Sequence, residues 1–307
     1  MDKIIKQTFK NIKSLEIQGA TAVAKAIICA LNQYGNNIKS DDFFLWEKKV
    51  EKAGGYLLAA RPTEPLAQNG VNFIFSALRK QKSSNVRQAK KRLKTASFEF
   101  LAILEKAAGL IVKNGQKIIR NDDDILTHCH SWLVEQILIE AKENKKRFKV
   151  YNTETRPLFQ GRITSRKLLN AGIPTAMVSD SSAGFLISNY SGRDLMLDKI
   201  ILGADAILNN GSVINKIGSF SIALVAHYEK KPIYIATTLL KYHPHSWIRI
   251  EKRPPKEIWL NAPNGLKIIN FAFDIVPAKF IKGIICEAGI IKPQEIKKHL
   301  KKIYPFL

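Results

Sequence analysis

Short runs of β-forming residues alternate with amphipathic helical stretches after about residue 121, and this alternation constrains the fold more than any other feature. The runs lie at residues 125–126, 148–151, 175–178, 199–202 and 232–236. Such an alternation is typical of βαβ units, which build parallel sheets. Residues 121–307 are therefore predicted to form a doubly wound, Rossmann-like parallel sheet with helices on its faces.

Residues 1–120 have a different pattern, which predicts helices. Residues 20–31 are rich in alanine and aliphatic side chains, and residues 97–113 carry apolar side chains at helical spacing. Pro62 and Pro65 predict a turn between helices. A last helix is predicted over residues 293–302, starting at a proline. The expected fold class is α/β, with a helical N-terminal domain (1–120) followed by the sheet domain (121–307).

Several features of the sequence indicate the cellular compartment in which the protein is expected. No apolar run approaches the ~20 residues of a membrane span, and the N-terminus lacks the apolar core of a signal peptide. The three cysteines, Cys29, Cys129 and Cys286, are too few and too scattered for a disulfide framework. We therefore expect a cytoplasmic protein that has no membrane partner.

The formal net charge of +23 has two interpretations, nucleic-acid binding or a solvated, lysine-rich surface. Most lysines are spread along the chain, which favours the second. The densest basic segment lacks aromatic side chains for base stacking. It contains Arg79, Lys80, Lys82, Arg87, Lys90, Lys91, Arg92 and Lys94. We therefore do not expect a nucleic acid as partner, whereas a phosphorylated metabolite would be attracted.

A polar or ionisable residue follows each β run, and two of these residues suggest an acid–base pair. The five are Cys129, Glu154, Asp180, Asp205 and Thr237. Ligands bind beyond the carboxyl ends of parallel strands, so the thiol of Cys129 and the carboxyl of Asp205 are expected to meet there and transfer protons. A helix N-terminus after Cys129 is expected to lower the pKa of its thiol.

Each of these interpretations has an alternative. A free cysteine is often a small buried hydrophobic residue, and Asp205 could be a helix-cap or turn residue near Asn209-Asn210-Gly211. His128-Cys129-His130 could suggest a metal, but neighbouring strand residues point to opposite faces and chelate poorly. The aspartates at 122–124 are expected in a solvated loop rather than in a metal site.

Candidate ligands for a phosphate lie elsewhere in the chain. Asn215-Lys216-Ile217-Gly218 precedes a helix expected from Ser219, and a lysine and a glycine before a helix N-terminus suit phosphate binding. Arg61 and Lys241 are two further candidates. The chain has neither a Walker motif nor a Gly-x-Gly-x-x-Gly fingerprint.

Together these motifs resemble one family, which comprises ribose 1,5-bisphosphate isomerases, methylthioribose-1-phosphate isomerases and the regulatory subunits of initiation factor 2B. The matching segments are Ile17-Gln18-Gly19-Ala20, Arg61-Pro62-Thr63, Thr127-His128-Cys129-His130-Ser131, Glu154-Thr155-Arg156-Pro157, Gln160-Gly161, Gly203-Ala204-Asp205, Asn215-Lys216-Ile217-Gly218, Lys241-Tyr242-His243-Pro244 and Phe273-Asp274-Ile275-Val276-Pro277. The resemblance covers nearly the whole chain and is strongest to the archaeal ribose 1,5-bisphosphate isomerases, which link AMP breakdown to a carboxylase. It implies isomerisation of ribose 1,5-bisphosphate to ribulose 1,5-bisphosphate, with no cofactor or metal.

The resemblance also implies a role for each site residue. Cys129 would accept the proton from C2, and Asp205 would donate a proton, starting protonated to assist ring opening. The residues implied to hold the substrate and its phosphates are Gln18, Gly19, Ala20, Thr21, Arg61, Ser131, Trp132, Leu133, Gln160, Asn215, Lys216 and Lys241. Gln18 stands where the isomerases usually carry arginine.

Two alternatives and an oligomeric state also follow from the resemblance. The chain could instead be a non-catalytic regulatory subunit like those of initiation factor 2B, which binds a nucleotide or sugar phosphate, or another phosphosugar isomerase. The presence of both Cys129 and Asp205 favours the enzyme. A homodimer or homohexamer is expected, with the apolar C-terminal residues 303–307 packed at or near a subunit interface because an exposed end of this kind is costly in water.

Overall fold

The computed structural model describes residues 2–80, 85–192 and 195–307, and the chain forms two compact units. The first unit comprises Met1–Lys106, Leu240–Tyr242 and Tyr304–Leu307, and the second comprises Ala107–Leu239 and His243–Ile303. The division falls inside a long helix rather than near residue 120. The boundary at residue 120 stays a prediction.

The first unit is helical, as predicted. Its helices are α1 (Lys3–Lys13), α2 (Ala20–Asn37), α3 (Phe43–Leu58), α4 (Pro65–Lys80) and the first part of α5 (Val86–Gly115). Trp46 is fully buried in the core, where its indole N–H donates to the carbonyl oxygen of Gly35 at 2.8 Å. The helices predicted over residues 20–31 and 97–113 lie within α2 and α5, so both predictions are confirmed.

The second unit contains a seven-stranded sheet whose strand order places a crevice beside β1. Its strands are β1 (Asp123–Thr127), β2 (Phe148–Thr153), β3 (Thr175–Val178), β4 (Lys199–Gly203), β7 (Ile233–Ala236), β10 (Gly283–Cys286) and β11 (Gly289–Ile291). The order is β3-β2-β1-β4-β7-β10-β11, parallel except for the last pair. The chain moves outward in one direction from β1 to β3 and in the other from β4 onward. The predicted doubly wound sheet is confirmed, and its switch point lies between β1 and β4.

Helices and a smaller sheet complete the second unit. The helices are α6 (Trp132–Glu143), α7 (Gly161–Asn170), α8 (Ala183–Ile187), α9 (Ser219–Tyr228) and α10 (Ile296–Ile303). The further strands are β5 (Ala206–Leu208), β6 (Val213–Lys216), β9 (Phe273–Val276) and β8 (Tyr242–His243), which the division between the units crosses. β5 and β6 form an antiparallel hairpin, in which Gly211 adopts φ +82° as the turn chemistry of Asn209-Asn210-Gly211 requires.

The three aspartates before β1 are not all in a solvated loop, which corrects the expectation. Asp123 begins β1, is buried, and pairs with the buried ammonium group of Lys199 on β4. Lys199 also donates to the carbonyl oxygen of Ile118 at 2.9 Å. The ion pair therefore ties β1 to β4 at the end of the sheet opposite the carboxyl edge.

Replacing Lys199 with methionine should destabilise the fold, because the carboxylate of Asp123 would remain buried without its partner. Breaking one side of a buried ion pair costs about 3–5 kcal/mol, which urea unfolding followed by circular dichroism would measure. Lys149→Met is the matched control, since Lys149 is exposed on β2 and such surface changes stay within about 0.5 kcal/mol. A Lys199→Met protein as stable as the Lys149→Met protein would contradict the role of the pair.

The apolar C-terminus is not a free end, which corrects the reason given for placing it at a subunit interface. Tyr304 is buried, and the ring of Phe306 lies 4.9 Å from that of Phe73, centroid to centroid, within the first unit. Tyr304 is thus covered by the chain itself, whereas Phe306 and Leu307 are half-buried and Ile303 is exposed.

Part of the basic segment has internal partners. Lys82 lies outside the described residues. Arg79 pairs with Glu51 at 2.7 Å, and the ammonium group of Lys90 donates to the carbonyl oxygen of Ile38 at 2.7 Å. In the ranges that the structure describes, no helix has both the length and the apolar character needed to cross a membrane.

Candidate active site

Cys129 lies in the turn from β1 to α6, with a backbone held by threonines from the neighbouring segments. It adopts φ +71°, in the left-handed region that L-residues rarely occupy. Its N–H donates to Oγ1 of Thr155 at 2.9 Å, and its carbonyl oxygen lies 3.1 Å from Oγ1 of Thr164. Such strained residues persist only where their surroundings fix them, and they cluster at functional sites.

Asp180, at the end of β3, fixes the segment that holds Cys129. Its two carboxylate oxygens accept the backbone N–H groups of Thr155 and Arg156 at 2.8 and 2.6 Å. Thr155 itself adopts φ +62°, unusual for a β-branched residue. The carboxyl ends of β1, β2 and β3 are therefore joined by hydrogen bonds, and Asp180 serves as an anchor of the loop.

The thiol of Cys129 is nearly buried, and its pKa is raised rather than lowered. Its sulfur donates to Oε1 of Gln160 at 3.7 Å. Burial raises the pKa of this thiol to about 11; the charge of Lys216 and the backbone N–H of His130 lower it, while the carboxylates of Asp205 and Asp180 raise it. The expected lowering by the helix N-terminus is wrong, because loss of hydration outweighs it. The thiol therefore holds its proton at neutral pH.

His128 directly precedes Cys129, and its ring nitrogens are not available to a ligand. Its Nε2 lies 2.9 Å from the carbonyl oxygen of Ile217, which can only accept, so Nε2 carries the proton. Its Nδ1 then accepts from the hydroxyl of Thr153 at 2.5 Å. Burial lowers the pKa of His128 to about 4, so the ring is neutral. Both ring nitrogens are used within the protein, which argues against the metal interpretation of His128-Cys129-His130.

Asp205 lies beyond β4, close to the turn that carries Cys129. A side chain at Gly203 would place its Cβ 2.6 Å from Oγ of Ser131, so only glycine permits this approach of β4 to the start of α6. Asp205 is half-buried, and its N–H donates to the carbonyl oxygen of Ile214 at 2.7 Å. No helix starts here, so the helix-cap alternative is wrong. The carboxylate of Asp205 lies close enough to Cys129 for its charge to raise the pKa of the thiol.

The predicted phosphate site at the start of α9 is already occupied by a carboxylate, which corrects the expectation. The N–H groups of Gly218 and Phe220 donate to Oδ2 of Asp274 at 2.7 and 3.0 Å. Burial raises the pKa of Asp274 to about 6. Asp274 therefore caps α9, and these two amides are not available to a phosphate.

The side chains of Asn215 and Lys216, at the end of β6, are not involved in the cap formed by Asp274. Nδ2 of the buried Asn215 donates to Oγ of Ser219 at 2.8 Å. The ammonium group of Lys216 lies 5.0 Å from the ring centroid of Phe273, and its charge favours ionised Cys129. Lys216 is thus a cation of the site even though the helix N-terminus is capped.

The remaining predicted residues fall in two groups. Ser131 caps α6 by accepting from the N–H of Val134, Trp132 is exposed, and Leu133 is buried. The first unit holds the other predicted residues, which are Gln18, Gly19, Ala20, Thr21, Arg61 and Lys241. Gly19 precedes α2 with φ +83°, and Arg61 forms an ion pair with Glu64 at 3.5 Å.

Within the second unit, the carboxyl edge of the sheet brings together six of the predicted residues. They are Cys129, Ser131, Gln160, Asp205, Asn215 and Lys216. Sequence reasoning missed Thr155, Thr164, Asp274 and Glu135 as supporting residues. Thr155 and Asp274 stood in motifs of the resemblance, whereas Glu135 and Thr164 carry no sequence signal, because their partners lie five or more residues away.

Comparisons with known proteins agree on one family. The model of the Initiation factor 2 subunit family matches residues 16–293. A ribose 1,5-bisphosphate isomerase of Methanocaldococcus jannaschii is 35% identical over 99% of this chain and 96% of its own length. A ribose 1,5-bisphosphate isomerase of Thermococcus kodakarensis is 33% identical, over 95% and 92%. A methylthioribose-1-phosphate isomerase of Desulforamulus reducens is 30% identical, over 92% and 86%.

Solved structures share the fold. The translation initiation factor eIF-2B of Pyrococcus horikoshii superimposes with a TM-score of 0.82 at 28% identity, covering 96% of this chain and 100% of its own. The 5-methylthioribose 1-phosphate isomerase of the same organism has a TM-score of 0.78 at 24% identity, covering 99% and 88%, which shows the fold alone.

Proposed function

Because this chain belongs to the initiation factor 2 subunit family, we propose that it is a ribose 1,5-bisphosphate isomerase that forms ribulose 1,5-bisphosphate. The observation that carries this proposal is the pairing of Cys129 with Asp205 at the switch point of the sheet, in a chain whose relatives of that name match it over nearly its full length. The reaction is an aldose–ketose isomerisation without net oxidation or reduction.

The two side chains can perform complementary proton transfers. Asp205 takes the proton that Cys129 loses and gives it to the ring oxygen as the bond from that oxygen to C1 breaks. Cys129, as the thiolate, takes the proton from C2 while a double bond forms between C1 and C2. It then returns a proton to C1 while the C2 hydroxyl loses its proton and becomes the carbonyl group. Each transfer is general acid–base catalysis, worth about 10²–10⁴-fold. The phosphate on C1 stays in place throughout.

Cys129 must lose its own proton before it can act as a base. Burial opposes this loss, while the charge of Lys216 and the N–H of His130 favour the thiolate. We therefore assign to Lys216 the stabilisation of the thiolate, and of the negative charge that develops when the C2 proton leaves.

Substrate binding is assigned from the resemblance. In the second unit, Ser131, Trp132, Leu133, Gln160, Asn215 and Lys216 would contact the sugar and a phosphate. In the first unit, Gln18, Gly19, Ala20, Thr21, Arg61 and Lys241 would contribute. Gln18 offers only neutral hydrogen bonds, which are about half as strong as charge-assisted ones, so Arg61 and Lys241 are the cations of that unit assigned to phosphate.

The protein is proposed to be a cytoplasmic homodimer or homohexamer. The second unit exposes many large apolar side chains, and a monomer rarely leaves extended apolar surface in water. Those on α8 and α9, which pack together, are Phe185, Phe220, Leu224 and Tyr228. Those of residues 247–271 are Trp247, Ile258, Trp259, Leu260, Leu266, Ile269 and Phe271. These surfaces join the C-terminal residues 303–307 as the expected subunit contacts.

A non-catalytic regulatory subunit is the second candidate, favoured by the likeness to the translation initiation factor eIF-2B of P. horikoshii. Such a protein would bind a nucleotide or sugar phosphate without turnover. The thiol and carboxyl at the switch point have no assigned task in it, which makes the enzyme the better proposal.

A steady-state comparison of phosphosugars tests the proposal. Purified protein should turn over ribose 1,5-bisphosphate with a kcat/KM about 10²-fold or more above that for methylthioribose 1-phosphate or ribose 5-phosphate. The reason is that a site built to bind a polar group rejects analogues that lack it. A preference for methylthioribose 1-phosphate would instead identify the protein as a methylthioribose-1-phosphate isomerase. Binding of AMP with no turnover of any phosphosugar would favour the regulatory subunit.

A further inference from the structure

His130 follows Cys129 directly, and its ring is held by a carboxylate that has no contact with solvent. Nδ1 of His130 lies 2.6 Å from Oε1 of Glu135, which is fully buried in the first turn of α6. The side chain of His130 is 21% exposed. One edge of the ring is therefore fixed inside the protein while part of the ring is open.

Glu135 is held as a carboxylate by several donors. Thr164 Oγ1 donates to Oε1 at 2.7 Å, and Lys167 Nζ donates to Oε2 at 3.0 Å. Burial raises the pKa of Glu135, but the hydrogen bond and charge of His130, with the bonds from Thr164 and Lys167, bring the net pKa below its usual value. The same Thr164 hydroxyl lies 3.1 Å from the carbonyl oxygen of Cys129. The buried carboxylate is thus part of the support of the catalytic turn.

This arrangement fixes the tautomer of His130. A carboxylate oxygen can only accept, so Nδ1 carries the proton that it donates to Glu135. Nε2, on the other side of the ring, is then an acceptor. No hydrogen-bond partner for Nε2 lies among the residues that the structure describes. A base oriented by a third, buried group is a recurring arrangement in active sites.

We propose that His130 is a third catalytic residue, which removes the proton of the substrate's C2 hydroxyl through Nε2. This inference rests on the proposed isomerase function. After Cys129 has taken the C2 proton, C1 and C2 share a double bond and C2 still carries a hydroxyl. Nε2 takes the hydroxyl proton, the O–H electron pair becomes the C2=O bond, and the C1=C2 electron pair takes a proton at C1 from the Cys129 thiol.

The protons that are given and taken balance among Cys129, Asp205 and His130. Asp205 has given the proton of Cys129 to the ring oxygen, and the imidazolium of His130 returns one through Asp205 to the thiolate of Cys129, so each group ends as it began. Glu135 stabilises the imidazolium while it exists, because its buried negative charge lies 2.6 Å from Nδ1. No oxidant, reductant or further reactant is required.

The His130→Asn variant distinguishes the roles of the two ring nitrogens. The asparagine amide can replace Nδ1 as donor to Glu135 but has no counterpart of Nε2. We expect kcat for ribose 1,5-bisphosphate to fall by about 10²-fold, with KM little changed. His227→Asn is the matched control, since His227 lies exposed on α9 against Phe280, and its kcat should equal that of the wild type.

Isotope exchange distinguishes catalysis by Nε2 from a structural role. With substrate deuterated at C2, the variant should still remove deuterium through Cys129 but complete the reaction rarely. The ratio of deuterium lost from recovered substrate to product formed should therefore rise by about 10-fold or more. Glu135→Gln should raise the same ratio by less, because it removes only the charge behind the imidazole.

Two outcomes would overturn the proposal for His130. One is a wild-type kcat in His130→Asn. The other is a kcat that falls in both variants while the exchange-to-product ratio stays unchanged, since a merely distorted site slows both steps alike. Absence of turnover in the wild-type protein would instead count against the isomerase function itself.

Discussion

Replacing Cys129 with serine should lower kcat for ribose 1,5-bisphosphate by about 10³-fold, within the range of a lost general base, with little change in KM. A hydroxyl is a far weaker acid than a thiol, so serine cannot supply the base that removes the C2 proton. The side chains differ by one atom, and the contacts with Thr155 and Thr164 involve the backbone of residue 129. The turn should therefore keep its geometry.

Cys29→Ser is the control for this experiment, because Cys29 is exposed on α2. It should have the kcat of the wild type. Binding of ribulose 1,5-bisphosphate, measured by calorimetry, should be nearly equal in all three proteins. Full activity in Cys129→Ser would remove the thiol from the mechanism.

Replacing Asp205 with asparagine should lower kcat by about 10²–10⁴-fold, because an amide cannot give a proton to the ring oxygen. The N–H bond of residue 205 to Ile214 is unaffected, so the end of β4 should keep its structure. Asp198→Asn is the matched control. Asp198 precedes the opposite end of β4, where its carboxylate accepts the N–H of Asp124 at 2.7 Å, and its loss should leave kcat unchanged.

The same variant should make Cys129 easier to ionise. The carboxylate of Asp205 raises the pKa of the Cys129 thiol, so Asp205→Asn should lower that pKa and speed alkylation of Cys129 by iodoacetamide at neutral pH. Mass spectrometry of each cysteine would measure this, with Cys29 as the internal reference. Slower turnover with unchanged alkylation would show that the two side chains are not coupled.

The strand pattern was enough to predict the sheet and the edge at which Cys129 and Asp205 lie. β runs separated by helices leave few topologies, and polar residues after strands collect at one edge of a parallel sheet. The pKa of Cys129 could not be predicted in the same way. Its direction depends on how completely the folded chain removes water from the sulfur, and no local pattern reports that.

Other features depended on distant partners. Asp123 has the sequence context of a loop, but Lys199 lies 76 residues away and pairs with it inside the sheet. Asp274 caps a helix that begins 55 residues earlier in the chain. Glu135 supports His130 only because α7 brings Thr164 and Lys167 to it. In each case the interacting residues come together only when the strands and helices pack, so no local sequence pattern predicts the interaction.

Carbon-13 NMR of ribose 1,5-bisphosphate labelled at C1 tests the central claim most directly. With the wild-type protein, the C1 signal should change from a methine in the sugar ring to a methylene that carries the phosphate, which identifies ribulose 1,5-bisphosphate. Cys129→Ser should leave the signal unchanged over the same time. A wild-type protein that leaves C1 as a methine, or that releases its phosphate, would contradict the assignment as an isomerase.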